Sequence, residues 1–148
     1  MDRLLAVVDT TETAKRVVSE AGEIAEGLDA DLLLICVTNA LEYSSQFESM
    51  KSLTSDSERY TRNEAREGAT KFARDIGMEV LSELDIEYEA KGYLGDKAEK
   101  ILEVADRYDC DHIFLPGRRR SPTGKALFGD VTQRVILDFD GLATVITD

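Results

Sequence analysis

"IEYEAKGYLGDKAEKILEVADRYDCDHIFLP", Ile86 to Pro116, decides the fold class of this chain. Its first nine residues, Ile86 to Leu94, alternate in polarity, which suits a strand at a sheet edge with one wetter face. Asp96 as N-cap, with Glu99 three residues on, then forms a capping box, and Ala98, Ile101, Leu102 and Ala105 recur at helical spacing. "DHIFLP", Asp111 to Pro116, reads as the next strand. Strand, capped helix and strand in succession are the building unit of an α/β domain with a parallel sheet.

The same alternation continues in both directions. Toward the N-terminus, "RLLAVV" (Arg3 to Val8) is an apolar strand, followed by a helix with Ala14, Val17, Val18, Ala21, Ala25 and Leu28 expected inward. "DLLLICV" (Asp31 to Val37) is a second buried strand. After the polar loop "TNALEYSSQFESMKSLTSD", a long helix is expected to turn Tyr60, Ala65, Ala69, Phe72, Ala73, Ile76, Val80 and Leu84 inward. Gly77 interrupts that helix at roughly 1 kcal/mol relative to Ala, which predicts a kink or an early end. Toward the C-terminus, a helix from about Asp130 to Asp138 places Val131, Val135 and Ile136 inward, and "ATVIT" (Ala143 to Thr147) is the fifth strand. The expected fold is a doubly wound α/β domain over residues 1–148, with a five-stranded, mostly parallel sheet and helices on both faces. Ligands in such folds bind outside the carboxyl ends of the strands. Two of those ends are chemically marked, by Asp9 after the first strand and by Gly117 onward after the fourth.

Composition narrows the class of function. The chain has 148 residues, is 43% hydrophobic and carries a formal net charge of -12. Such a size suits one domain with its own core. No apolar run reaches the ~18 residues of a membrane span, and "MDRLLAVVDT" is too short and too quickly polar for a signal peptide, so a cytoplasmic protein is expected. The net charge repels polyanions, which disfavours nucleic acid as a partner. Its acidic, lysine-poor surface suits a high-salt cytoplasm, with an ordinary acidic protein as the alternative. Cys36 and Cys110 lack C-x-x-C spacing and sit in or beside apolar runs, so both are expected as buried, reduced thiols.

Against this acidic background, "GRRRSPTGKALFGDVTQR" (Gly117 to Arg134) holds five bases and one acid, which makes it +4 and leaves -16 for the remainder. It is no Walker A loop, because six residues rather than four separate Gly117 from Gly124 and Ala126 stands where a magnesium-binding Ser or Thr belongs. No strand is followed by G-x-G-x-x-G, no G-x-S-x-G elbow is present, and "VVDTTE" lacks the acidic pair of a phosphoacceptor receiver domain. His112, the single histidine, begins the fourth strand, at the end away from the marked loops, and is read as structural. No catalytic residue is assigned. Glycines leading into a helix N-terminus, with guanidinium groups nearby, form a phosphate site. Equally, the glycines could only turn the chain while the arginines solvate a loop or pair with acids.

Taken together, "VVDTTETAKRVV", "GYLGDKAEKILEVA" and "LPGRRRSPTGKALFGDVTQRVI" resemble the universal stress protein family, the last of them its strand-four signature G-x2-G-x9-G-[S/T]. The resemblance covers essentially the whole chain. It implies a sheet in order 3-2-1-4-5, with the switch point between strands one and four. It further implies a stress-associated regulatory role, with ATP or a related adenine nucleotide as ligand in some members and none in others, and homodimers paired through the last strand. A magnesium ion is left open, as is any further protein partner. Carried over by motif, Asp9 contacts the ribose or adenine side, Val37 packs near the base, and Pro116, Gly117, Arg119, Arg120, Gly129, Asp130, Val131 and Thr132 hold ribose and phosphates. The alternative is a dimeric interaction module of the same fold that binds no nucleotide.

Three positions depart from the signature. Arg120 stands at its second glycine, Gly129 comes one residue early, and Asp130 replaces the Ser or Thr after the last glycine. Asp130 with Gln133 reads as a capping pair, whose carboxylate would take the backbone donors that a phosphate uses and weaken the site at its phosphate end.

Overall fold

A computed structural model describes residues 2–39, 57–117 and 129–147, with the side chains of 57–61 excepted. Among the described residues five strands and four helices alternate: β1 (Arg3–Val7), α1 (Thr13–Leu28), β2 (Asp31–Thr38), α2 (Ser57–Leu81), β3 (Tyr88–Leu94), α3 (Lys97–Arg107), β4 (His112–Pro116), α4 (Asp130–Asp138) and β5 (Leu142–Ile146). The strands form one sheet in order β3-β2-β1-β4-β5, and every neighbouring pair is parallel. The expected order is therefore correct, and the sheet is parallel throughout rather than mostly so.

The run of apolar residues in β1 and β2 follows from burial on both faces. Leu4, Ala6, Leu32 and Leu34 point to a core shared with α1 and α2, while Leu5, Val7, Leu33 and Ile35 point to one shared with α3 and α4. On α1, Ala14, Val17, Val18, Ala21 and Ala25 are buried as their spacing requires. Leu28 departs from the expectation: it is 46% exposed, because the helix ends there and Asp29 turns the chain away in the left-handed region at φ 55°. Ile136 of α4 is likewise exposed, and Thr132 takes the inward position beside Val135.

α2 runs unbroken through Gly77, contrary to the predicted kink. A Cβ there would lie 2.7 Å from Tyr88 Cε2 and 2.8 Å from Leu34 Cδ1, so the glycine serves close packing of helix on sheet. The helix stops at Leu81, short of Leu84, which still packs against the core from the following turn. Tyr60 is in the helix, but its side chain lies outside the described residues. α3 starts as read: Asp96 Oδ1 accepts the Glu99 N–H at 3.0 Å. Cys36 and Cys110 are both buried and in no disulfide, and burial pushes the Cys110 thiol up to about 11. His112 is buried too; its Nε2 lies 2.7 Å from Thr144 Oγ1 and its ring stacks on Phe114, which fits the structural role. Among the described residues, no helix is long and apolar enough to cross a membrane.

Candidate functional site

The switch point of the sheet lies between β1 and β4, since the chain leaves β1 toward β2 on one side and returns through β4 on the other. Crevices form at such points outside the carboxyl ends of the strands. Asp9 stands two residues beyond β1. Its Oδ1 accepts the Thr11 N–H at 3.0 Å and also the Thr11 hydroxyl, an Asx turn that fixes the carboxylate ahead of α1. Glu12, the N-cap of α1, has helical dihedrals and offers no side-chain cap, so the first turn of α1 gains none from that position. Thr11 was not singled out in the sequence, although D-x-T is the signal of such a turn.

On the next strand, Val37 is 7% exposed and joins the core on the α3 side, one residue before the end of β2. Beyond β4, the Gly117 N–H donates to Ile146 O at 2.7 Å, which continues the β4–β5 pairing past Pro116. A Cβ on Gly117 would meet Val145 Cγ1 at 2.8 Å and Thr147 Cγ2 at 3.1 Å. Close approach of β5 is thus sufficient reason for this glycine. Thr132 Oγ1 donates to Pro116 O at 2.9 Å and ties the start of α4 to the end of β4.

The start of α4 corrects the reading of Asp130. Gly129, at φ 83° and ψ 155°, is the N-cap, and Asp130 is the first helical residue with an exposed side chain. No side-chain cap hydrogen bond is made; the Gln133 N–H bonds the Gly129 carbonyl at 3.0 Å instead. A glycine in that backbone region enters the helix one residue earlier than the Asp–Gln pattern suggests. Asp130 therefore brings a negative charge to the first turn without consuming its backbone donors. Val131 is half-buried against the α3 and α4 core. Arg134 lies 3.4 Å from Asp96 Oδ1 and 3.9 Å from Asp138 Oδ2, so this base joins α4 to the start of α3. Arg118, Arg119, Arg120, Gly124 and Lys125 lie outside the described residues.

The described part of the site thus gathers Asp9 with its Thr11 turn, the end of β2 at Val37, and the β4–α4 junction of Pro116, Gly117 and Gly129 to Thr132. The N-termini of α1, α3 and α4 all lie at this end of the sheet, because each helix runs antiparallel to the strands. Helix N-termini favour anions. Among the described residues, no three His, Cys, Asp or Glu side chains gather to hold a metal ion.

Residues 1–140 match the universal stress protein family. The chain belongs to that family. Solved structures agree in fold. The universal stress protein from Archaeoglobus fulgidus is 23% identical, with a TM-score of 0.68 and coverage of 99% of this chain and 98% of that one. A universal stress protein in complex with cAMP is 15% identical, with a TM-score of 0.66 over 99% of this chain and 96% of that one. One from Archaeoglobus fulgidus in complex with dAMP is 19% identical, with a TM-score of 0.56 over 99% and 97%. No curated protein matches the sequence.

Proposed function

We propose that this universal stress protein is a regulatory, stress-associated protein that binds an adenine nucleotide (ATP, ADP or AMP) at the carboxyl end of β1 and β4, and that it binds rather than catalyses. The observation that carries this reading is the meeting, at one switch point, of the oriented Asp9 carboxylate and the Gly129 entry to α4. A carboxylate can accept ribose hydroxyls or an adenine amino group, whereas uncapped N–H groups of a first helical turn suit phosphate. Family relatives solved with cAMP and with dAMP support an adenine nucleotide as the ligand class. In this reading Val37 packs near the base, while Gly117 shapes the crevice and Arg119 and Arg120 supply positive charge to the phosphates.

One observation favours the second reading, a dimeric interaction module without nucleotide. Asp130 puts a carboxylate into the turn where the family signature has a neutral hydroxyl. We propose homodimers in either case, paired through β5, whose outer edge has no neighbouring strand among the described residues and exposes Leu142. Equilibrium titration of purified protein with ATP, ADP and AMP tests the choice. Saturation at one site per chain supports nucleotide binding; no saturation for any of the three leaves the interaction module.

A further inference from the structure

Tyr108, the C-cap of α3, packs against the α3 and α4 core, as do Tyr93 of β3 and Leu102 of α3. Its backbone is held on both sides: the N–H donates to Val104 O at 3.0 Å, and the carbonyl accepts Arg3 Nη1 at 2.9 Å. The phenol oxygen meets the edge strand β3, where Lys91 Nζ donates to it at 2.9 Å. The same ammonium stands 4.8 Å from the Tyr108 ring centroid and 3.9 Å from Glu89 Oε2, on a side chain that is 73% exposed. Solvent screens that longer contact, so the phenol is the closer partner of the charge.

The charged groups around this phenol are Lys91 and Glu89 from β3, Arg107 from α3 and, at the Tyr108 carbonyl, Arg3 from β1. Lys91's hydrogen bond, partly opposed by burial and reinforced by Tyr93 and by the charge of Arg107, holds the Tyr108 phenol below its ordinary range. Burial first, and then Tyr108, push Tyr93 the other way. The C-terminal end of α3 is partially negative, and the Arg3 guanidinium at its cap offsets that end. Lys91 is raised by its bond to Tyr108, so it stays an ammonium and does not compete as a nucleophile. A cation fixed against a partly exposed hydroxyl is the arrangement that activates an oxygen nucleophile.

We propose that Tyr108 is a nucleophilic tyrosine, a modification site that takes an acyl group from an activated acyl donor, a thioester or an acyl phosphate. Its phenol oxygen attacks the acyl carbonyl carbon, the bond from that carbon to the leaving group breaks, and the leaving group departs with its electron pair while the phenol proton passes to it or to water. The product is a tyrosine ester, with nothing oxidised or reduced. Lys91 is the positioning residue: it stabilises the negative charge on the oxygen and takes no proton. The cluster lies at the β3 edge, two strands from the β1–β4 switch point, and does not depend on the nucleotide reading.

N-acetylimidazole is the probe, read on the full chain by peptide mass spectrometry; hydroxylamine reverses a tyrosine ester and leaves acetyl-lysine, which separates the two. In the unaltered protein, Tyr108 should be acetylated ahead of Tyr93, and its rate should climb with pH through a midpoint below that of Tyr93. Lys91→Met, which keeps the apolar stem and removes the charge, should slow Tyr108 about fivefold near neutral pH and move its midpoint upward. Lys91→Arg, which keeps a charged donor, should retain most of the rate. Lys71→Met, which removes the same charge from an exposed pair on α2, should leave the rate within about twofold. The proposal is overturned if Tyr108 and Tyr93 share one midpoint in the unaltered protein, if Lys91→Met leaves rate and midpoint unchanged, or if Lys71→Met slows Tyr108 as much as Lys91→Met does.

Discussion

Asp9 is where the proposed chemistry is most concentrated, because Thr11 holds its carboxylate by two donors and leaves the second oxygen for a ligand. A hydrogen bond to a charged group contributes about 1.5–3 kcal/mol. Asp9→Ala should therefore weaken ATP and AMP alike, by roughly tenfold to a hundredfold in a titration. Asp130 should act on ATP more than on AMP. Since its carboxylate caps nothing, Asp130→Ser relieves only charge repulsion, about 1 kcal/mol in a well-solvated turn, so ATP affinity should rise about fivefold and AMP affinity less. Loss of the favourable first-turn charge should lower stability by about 0.5 kcal/mol in urea unfolding. His112 gives the protein a pH dependence of known sign. Burial lowers its pKa from 6.5, so as pH falls below about 6.5 the unfolded chain binds a proton that the folded chain refuses. Stability should be full above that pH and decline below it, more steeply in wild type than in His112→Gln; equal declines would remove His112 as the cause.

At the scale of elements, crowding between helix and sheet decides more than propensity does. A Cβ on Gly92 of β3 would lie 2.3 Å from the Thr70 N and 2.5 Å from the Arg66 O, both backbone atoms of α2. Gly92→Ala should therefore destabilise by about 2–3 kcal/mol in denaturant unfolding, even though glycine is a poor strand residue. A neutral or stabilising result would mean that α2 can move away. This crowding also explains what was legible beforehand. β1, β2 and β4 were readable because burial on both faces demands continuous apolar runs, β3 because an edge strand alternates, and α3 because Asp96 makes a local cap. Gly77 misled, since its reason lies in Tyr88 and Leu34, which are neighbours only after folding. Leu28 misled because helical spacing marks a face but not where the helix leaves the core. Asp130 misled by one residue, because the positive φ that Gly129 adopts is invisible in a cap pattern.

For the whole molecule, the order β3-β2-β1-β4-β5 leaves β3 and β5 as edges and fixes one switch point, with the Asp9 turn on one side and the β4–α4 junction on the other. That topology followed from the alternation of elements together with the family resemblance. The geometry around it did not, because it depends on contacts such as Thr132 to Pro116 and β5 to Gly117 that join segments far apart in sequence. If β5 pairs with a second copy, light scattering at micromolar concentration should report twice the 16.4 kDa chain mass, and a monomer would contradict the pairing. The central claim concerns the nucleotide. A backbone amide NMR titration with ATP tests it most directly: saturable shifts are expected at Asp9, Thr11, Val37, Gly117 and Gly129 to Thr132, with the amino ends of the strands unchanged. Absence of saturation, or shifts confined to residues away from the carboxyl ends of β1 and β4, would contradict it.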